Sequence, residues 1–371
     1  MHIVLLFTFD YSLQTWVQSG HLQRELKFYS SLINKGFKLT FVTYGDEEDL
    51  NILDGFDIQV FPIYKYIKKN RFKIINILKS FYIPFLIKKQ LFNKTKKTLI
   101  KQNQLLGSWV AVILKFITNS KLYTRTGYDM YLFSKNNKKS YLKQTMFYFL
   151  TQITLLFSDQ YSVTSKSDLE FLNKNFLYTN KILLRPNWVE VNLVKTESKE
   201  NNKILAVGRL EEQKNFKELI KGVKNTDFVI DIYGEGTQKD ELFKLASKLK
   251  VPLQIFDFVN NDDLLVIYQQ YKYFVSTANF EGNSKVILEA MASGCVVIAK
   301  NIDNNRELID DKKSGLLFSE NLNEILINCQ KNEYEFEEIA RNAKSKVMNN
   351  FTLTQISNSY AKDFNNLLKT N

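Results

Sequence analysis

The chain has 371 residues, 44% hydrophobic and 24% charged, with a net charge of +12. That length and balance suit a globular protein of two domains and exclude a disordered or collagen-like chain. Two cysteines, Cys295 and Cys329, exclude a disulfide scaffold, and the only histidines, His2 and His21, argue against a histidine triad or a zinc site.

His2–Phe9 is almost continuously apolar, the pattern of a strand buried on both faces. Asp10–Ser19 reads as a loop. Gly20–Asn34 has helical spacing, with Leu22, Leu26, Tyr29 and Ile33 near one face, and Gly36 closes it. Phe37–Thr43 is the next strand, so the chain opens with a strand–helix–strand unit of a parallel sheet. The first nine residues have no basic leader or small-residue cleavage site, so no signal peptide is expected. Asp46–Leu53 resembles a short acidic helix, and Ile58–Phe61 is another strand.

A basic segment follows over Tyr64–Lys101. Its runs Phe72–Tyr82 and Phe85–Leu99 are predicted helices separated by Pro84. Between Ile58 and Ser158 there are nineteen Lys or Arg and one acid, Asp129. Trp109–Phe116 reads as helix, Leu122–Thr124 as strand, Tyr141–Ser158 as helix, Gln160–Thr164 as strand and Ser165–Asn173 as helix. The apolar runs Leu105–Ile117 and Met146–Phe157 fall short of the ~18 residues a membrane span needs. The aromatic groups Phe147–Phe149 and Tyr271–Phe274 read as core.

Pro186–Asn202 is the expected hinge, with no apolar residue over Lys195–Asn202. Beyond it the strand–helix rhythm is cleaner. Predicted strands are Ile204–Val207, Phe228–Tyr233, Leu253–Phe258, Tyr273–Ser276, Val296–Ala299 and Leu316–Phe318. Predicted helices are Lys214–Val223, Gln238–Lys248, Asp262–Gln270 and Ser284–Ala292, and Thr354–Leu368 is the last. Two α/β domains of this kind bind ligands at the carboxyl ends of their strands, in a cleft where the domains face each other.

Phe280-Glu281-Gly282-Asn283-Ser284 carries the strongest chemical signal. It follows a strand and opens a helix. Asn283 or Ser284 can cap that helix, whose free N–H groups suit an anion, and Gly282 allows close approach of a ligand. Glu281 would project into the cleft. Glu289, eight residues on, is too far for a paired acid and base and suits a second set of ligand hydroxyls; otherwise it is a surface charge. The second signal is Gly208-Arg209-Leu210-Glu211-Glu212-Gln213-Lys214-Asn215, at a strand end. There an arginine fork and a lysine could neutralise a leaving diphosphate without a metal, or the segment is an ordinary charged loop. Gly234-Glu235-Gly236 lacks the third glycine of a nicotinamide fingerprint, and there is no P-loop or Asp-x-Asp.

The Glu-x7-Glu element with Gly-Arg-Leu-x3-Lys-Asn resembles retaining glycosyltransferase family 4. Ser165-Lys166-Ser167, Pro186-Asn187-Trp188-Val189-Glu190, Ser314-Gly315-Leu316-Leu317-Phe318 and Ser19-Gly20 with Arg24 resemble further family elements. The resemblance implies a GT-B fold, two Rossmann-like doubly wound domains facing across a cleft. It implies an acceptor-binding domain over 1–190, a nucleotide-sugar domain over 191–353, and a terminal helix at 354–371 returning to the first domain. It also implies a metal-independent hexosyl- or N-acetylhexosaminyltransferase with no cofactor. The donor would be a UDP- or GDP-linked sugar. Arg209 and Lys214 would hold the diphosphate, with Gly20 from the first glycine loop. Glu281, Gly282, Asn283 and Ser284 would hold the sugar, Glu289 the ribose, and Phe258 and Val259 would lie near the base. Glu281, Arg209 and Lys214 would carry catalysis.

The departures are specific. Ser19-Gly20 replaces a Gly-Gly pair, Asn283-Ser284 replaces Phe-Pro, and Arg125-Thr126-Gly127-Tyr128 stands where many relatives have a histidine. Arg24, Arg125 and Tyr128 are therefore acceptor-side candidates, unless Arg125 pairs with Asp129. The basic, aromatic-rich first half suits an anionic partner or is a solvated surface. The leading expectation is a cytoplasmic enzyme, peripheral on the inner face of the cell membrane through residues 65–101. It would act on a saccharide or lipid-linked saccharide of an envelope polymer and bind no nucleic acid. The alternatives are a GT-B epimerase or phosphorylase, or an inactive scaffold binding anionic partners such as nucleic acid.

Overall fold

The computed structural model describes residues 1–92, 97–190 and 199–369. The chain divides into two compact units, Met1–Arg185 with Ser357–Asn371, and Pro186–Ile356.

The first unit is built on strands β1 (His2–Leu6), β2 (Lys38–Thr43), β3 (Ile58–Pro62), β4 (Thr98–Asn103), β5 (Lys121–Arg125), β6 (Gln160–Val163) and β7 (Ile182–Leu184). They form one parallel sheet in the order β3-β2-β1-β4-β5-β6-β7. The order reverses between β1 and β4, where Leu5 stands opposite Lys101.

Three sequence expectations change here. The end of the Phe85–Leu99 run is not helix. Residues 93–96 lie outside the described residues, and Thr98–Asn103 is a strand in the middle of the sheet. Lys101, Gln102 and Asn103 hid it, because a central strand is read by its apolar run. Pro84 does not separate two helices but sits in the first turn of the helix Ile83–Leu91, where a missing N–H costs nothing. The expected loop Asp10–Ser19 contains a helix, Leu13–Gln18, whose first turn is closed by a reciprocal Ser12–Thr15 capping pair.

The terminal helix, Leu353–Lys369, contributes to the first core. Phe364 is fully buried and meets Phe37 and Tyr123 edge-on. Asp363 holds Arg185 in a two-pronged ion pair at 2.6 and 2.7 Å.

The second unit carries β8 (Glu200–Val207), β9 (Val229–Tyr233), β10 (Leu253–Phe256), β11 (Tyr271–Ser276), β12 (Val296–Lys300) and β13 (Leu316–Phe318). They too are parallel, in the order β10-β9-β8-β11-β12-β13. Of the predicted hinge, 191–198 lies outside the described residues and Glu200–Asn202 opens β8. Alternate residues feed two cores. Ile204, Ile230, Tyr273 and Ile298 pack on one face, and Leu205, Phe274, Val297 and Ala299 on the other. Covering both faces is what makes these strands continuous apolar runs. Cys295 and Cys329 are free and buried, and burial raises their thiol pKa values to about 11 and about 12.

Candidate functional site

In the second unit the strand order reverses between β8 and β11. Chains leaving such neighbours diverge to opposite faces and open a crevice at their carboxyl ends. The two loops there are tied together. Gln213 donates its side-chain N–H to the Phe280 carbonyl at 3.0 Å, and its own carbonyl accepts from the Asn279 amide at 2.9 Å. The Thr277 hydroxyl donates to the Lys214 carbonyl at 2.9 Å. Lys214 and Glu281 thereby meet in an ion pair with only 17% and 12% of their side chains exposed.

Glycines make this approach possible. A Cβ on Gly208, whose φ is +153°, would stand 2.9 Å from Cε of Lys214. A Cβ on Gly234 would lie 2.0 Å from the Gly208 carbonyl oxygen, and one on Gly236 2.6 Å from that of Leu210. Gly234 and Gly236 are therefore spacers that bring the loops after β8 and β9 together. The loops are joined by bonds from the Gly208 amide to the Tyr233 carbonyl (3.1 Å) and from the Leu210 amide to the Glu235 carbonyl (2.8 Å). The sequence shows this glycine pair but not its purpose, which depends on a neighbouring loop.

Asn283 and Ser284 have separate roles. Asn283 is buried and accepts from the Asn187 amide at 2.9 Å, while the Asn187 side chain donates back to the Asn283 carbonyl at 2.6 Å. Ser284 holds the N-cap position of the helix Lys285–Ala292, but its side chain makes no capping bond. Its Oγ is buried and has no hydrogen-bond partner. An orphaned hydroxyl at a helix N-terminus, beside the Lys214–Glu281 pair, suits an anionic or hydroxylated ligand. Glu289 is not a surface charge. It is buried, and its carboxylate accepts from the Tyr268 hydroxyl at 3.3 Å and from the Asn261 amide at 3.1 Å.

Arg209 is exposed and donates weakly to Gln213 at 3.4 Å. Phe258 is half exposed, and the adjoining Val259 packs on the core that holds Leu205 and Phe274. Sequence reasoning missed a second polar knot beside the pair. The Lys300 ammonium, at the end of β12, donates to Glu218 at 2.7 Å and to Asn279 at 3.0 Å. Asn215 donates to the same two oxygens at 2.6 and 3.2 Å. Asn215 stands in the motif that includes Lys214, but Lys300 carries no local signal.

The first-unit candidates divide. Gly20, with φ +66°, joins the helix Leu13–Gln18 to the helix Leu22–Ile33, which carries the buried Arg24. Arg125 ends β5 and donates through Nε to the Tyr360 hydroxyl at 2.9 Å. Arg125 and Asp129 each have other partners. Asp129 caps the helix Met130–Asn136 through Leu132 and accepts from Thr151, and burial raises its pKa to about 6. The Tyr128 hydroxyl accepts from Asn136 at 2.9 Å. Behind Arg125 lies a sealed cluster. The Lys101 ammonium, 1% exposed, donates to the buried Tyr29 hydroxyl at 3.0 Å and to Asn103. Burial, then the nearby Arg125 charge, lowers the Lys101 pKa to about 7 despite the opposing Glu25 carboxylate. Among the described residues no three His, Cys, Asp or Glu side chains converge as a metal cluster.

Comparison with known proteins bears on this site. The family described as glycosyl transferases group 1 matches residues 191–346, inside the second unit. A Campylobacter jejuni N-acetylgalactosamine-N,N'-diacetylbacillosaminyl-diphospho-undecaprenol 4-alpha-N-acetylgalactosaminyltransferase is 29% identical over 50% of this chain and 52% of its own length. The match thus spans about half of that relative. An uncharacterized Haemophilus influenzae glycosyltransferase is 24% identical over 79% of this chain and 80% of its own. The crystal structure of Anabaena HepE in complex with UDP-glucose superimposes with a TM-score of 0.76 at 17% identity, over 99% of this chain and 100% of HepE. These likenesses support the glycosyltransferase family and show the fold to be GT-B, two Rossmann-like parallel-sheet domains.

Proposed function

We propose that this chain is a retaining, metal-independent glycosyltransferase of family 4. It moves a hexosyl or N-acetylhexosaminyl group from a UDP- or GDP-linked sugar to a saccharide or lipid-linked saccharide acceptor in envelope polysaccharide or glycolipid synthesis. The observation that carries this reading is the Lys214–Glu281 pair set beside the orphaned Ser284 hydroxyl at the β8/β11 junction. Support also comes from relatives: HepE binds UDP-glucose, and the Campylobacter protein is named for a diphospho-undecaprenol acceptor.

On this reading the ion pair keeps both charges in place before the donor arrives. The diphosphate draws the Lys214 ammonium and the Arg209 guanidinium, and Glu281 is released to accept from sugar hydroxyls. Gly282, Asn283 and Ser284 hold the sugar from the helix N-terminus, and Glu289 holds the ribose. Phe258 and Val259 flank the base, and Gly20 lies near the phosphate. The bond from the anomeric carbon to the diphosphate breaks as the acceptor oxygen bonds the same face. The acceptor's proton passes to the departing phosphate oxygen, and the two cations stabilise the charge that develops there. Arg24, Arg125 and Tyr128 serve the acceptor side. The enzyme works in the cytoplasm at the inner face of the cell membrane, held by the basic residues of segment 65–101. The sealed Lys101 is not one of them, because it cannot reach a surface.

Calorimetry with UDP, GDP, ADP and CMP against wild type and Arg209→Ala tests the donor site. The expected outcome is micromolar binding of UDP or GDP in wild type that disappears in the variant. Absence of binding by all four would refute the site. Release of a sugar phosphate on addition of inorganic phosphate would turn the reading to a phosphorylase.

A further inference from the structure

The helix Tyr141–Phe157 is inside out. Its inward face carries Thr151 and Thr154, both fully buried, together with Leu155. The threonines find polar partners there: Thr151 donates to Asp129 at 3.3 Å, and Thr154 bonds Ser108 at 2.8 Å. The outward face carries Leu142, Met146, Phe149, Ile153 and Leu156, with Leu142 80% and Phe149 57% exposed. These five recur at steps of four, three, four and three residues, which aligns them as one stripe along the helix. A helix facing water turns its apolar stripe to the core, so five large apolar side chains on the solvent side mark a surface made for a non-aqueous partner.

The stripe belongs to a wider surface. The helix Lys73–Ser80 packs on Ile83–Leu91, that helix on Ser108–Thr118, and that one on Tyr141–Phe157. This layer also exposes Ile74, Leu78, Tyr82, Phe85 and Phe116. Its charges are of one sign. The stripe helix has a single charged residue, Lys143, and exposed Lys135, Lys138 and Lys139 stand just before it. Two copies joined through this face would bring lysines against lysines with no acid on either helix to offset them. An anionic bilayer offers hydrocarbon for the stripe and phosphate for the lysines, the combination an interfacial amphipathic helix uses. No helix among the described residues is long and apolar enough to cross a membrane, so the contact is one of lying on the surface.

We infer that the Tyr141–Phe157 helix inserts its Leu142–Met146–Phe149–Ile153–Leu156 stripe into the acyl boundary of an anionic membrane. This extends the membrane part of the function proposed above and stands apart from the donor assignment. The basic segment attracts the protein to the bilayer, and the stripe holds it there. The two contributions differ in salt dependence, because screening at about 0.5 M salt leaves charge attraction only a few ångströms of range while apolar burial persists.

The test is sedimentation with phosphatidylcholine–phosphatidylglycerol vesicles, using the full chain, with UDP calorimetry run beside it. Wild type should stay bound at about 0.5 M salt. Phe149→Glu and Ile153→Glu should lose that salt-resistant binding by about tenfold or more, with melting temperature and UDP affinity unchanged. Lys88→Gln with Lys89→Gln should lose only low-salt binding. Phe149→Trp should gain fluorescence that brominated acyl chains quench. Binding that vanishes with salt in wild type, or indole fluorescence in the Phe149→Trp variant that is blind to brominated lipid, would overturn the inference. So would a dimer in light scattering that Phe149→Glu dissociates, since a second copy would then cover the stripe.

Discussion

The two strand reversals in this molecule are built alike and finished differently. Both units place a loop crevice beside their first strand, between β1 and β4 in one and between β8 and β11 in the other. In the second unit, Gly208, Gly234 and Gly236 let backbones close in and leave a lysine, a carboxylate and an unpartnered serine hydroxyl near the surface. In the first unit the corresponding strand ends are filled. Lys101, Tyr29 and Tyr360 are buried together. Topology therefore offers a site but does not make one. What decides is whether the residues after the strands are small or bulky, and whether polar groups are satisfied within the protein or left for a ligand.

The largest expected effect comes from breaking the open reversal. Glu281→Gln or Lys214→Ala should reduce turnover by about a hundredfold or more, the usual cost of one charge-stabilising group, with circular dichroism unchanged. Near-normal turnover would remove the pair from the mechanism. Gly234→Ala should act through the fold instead. Its methyl would meet the Gly208 carbonyl oxygen at 2.0 Å, so a loss of about 3 kcal/mol or more is expected in urea unfolding of the chain.

Lys101→Met probes the sealed reversal. With the Lys101 pKa lowered to about 7 in the folded protein, the unfolded chain holds its proton up to the ordinary lysine range. Stability should therefore rise with pH from about 7 to about 10, by a few kcal/mol at most. The Met variant should lose that rise and gain most at pH 6. Urea midpoints across pH decide it, and an unaltered profile in the variant would show that Lys101 does not carry the effect. Tyr29, Glu25, Arg125 and Tyr360 face the same ammonium and stay in place for this comparison. The smallest change is expected from Ser284→Ala. Its hydroxyl has no partner to lose, so stability should move by less than about 1 kcal/mol. Nucleotide-sugar affinity should still fall several-fold, and equal affinity would mean that the hydroxyl serves no ligand.

Much of this was readable in the residues. Apolar runs such as His2–Phe9 and Val296–Ala299 announce strands covered on both faces, and the turn at Glu281–Ser284 announces a helix start with free amides. These are local consequences of side-chain period and backbone geometry, so the sequence by itself determined the fold class and marked the loops that carry the candidate residues. The structure alone settled what depends on distant partners. A strand containing Lys101, Gln102 and Asn103 becomes central because Tyr29, brought in by another helix, satisfies the ammonium. Glu289 becomes a buried carboxylate because Tyr268 and Asn261 reach it. Phe149, which reads as core, faces solvent because the threonines on the opposite face find Asp129 and Ser108. A helical period shows that two faces differ, but which one turns inward is decided by the hydrogen bonds and volumes that the rest of the fold presents to it.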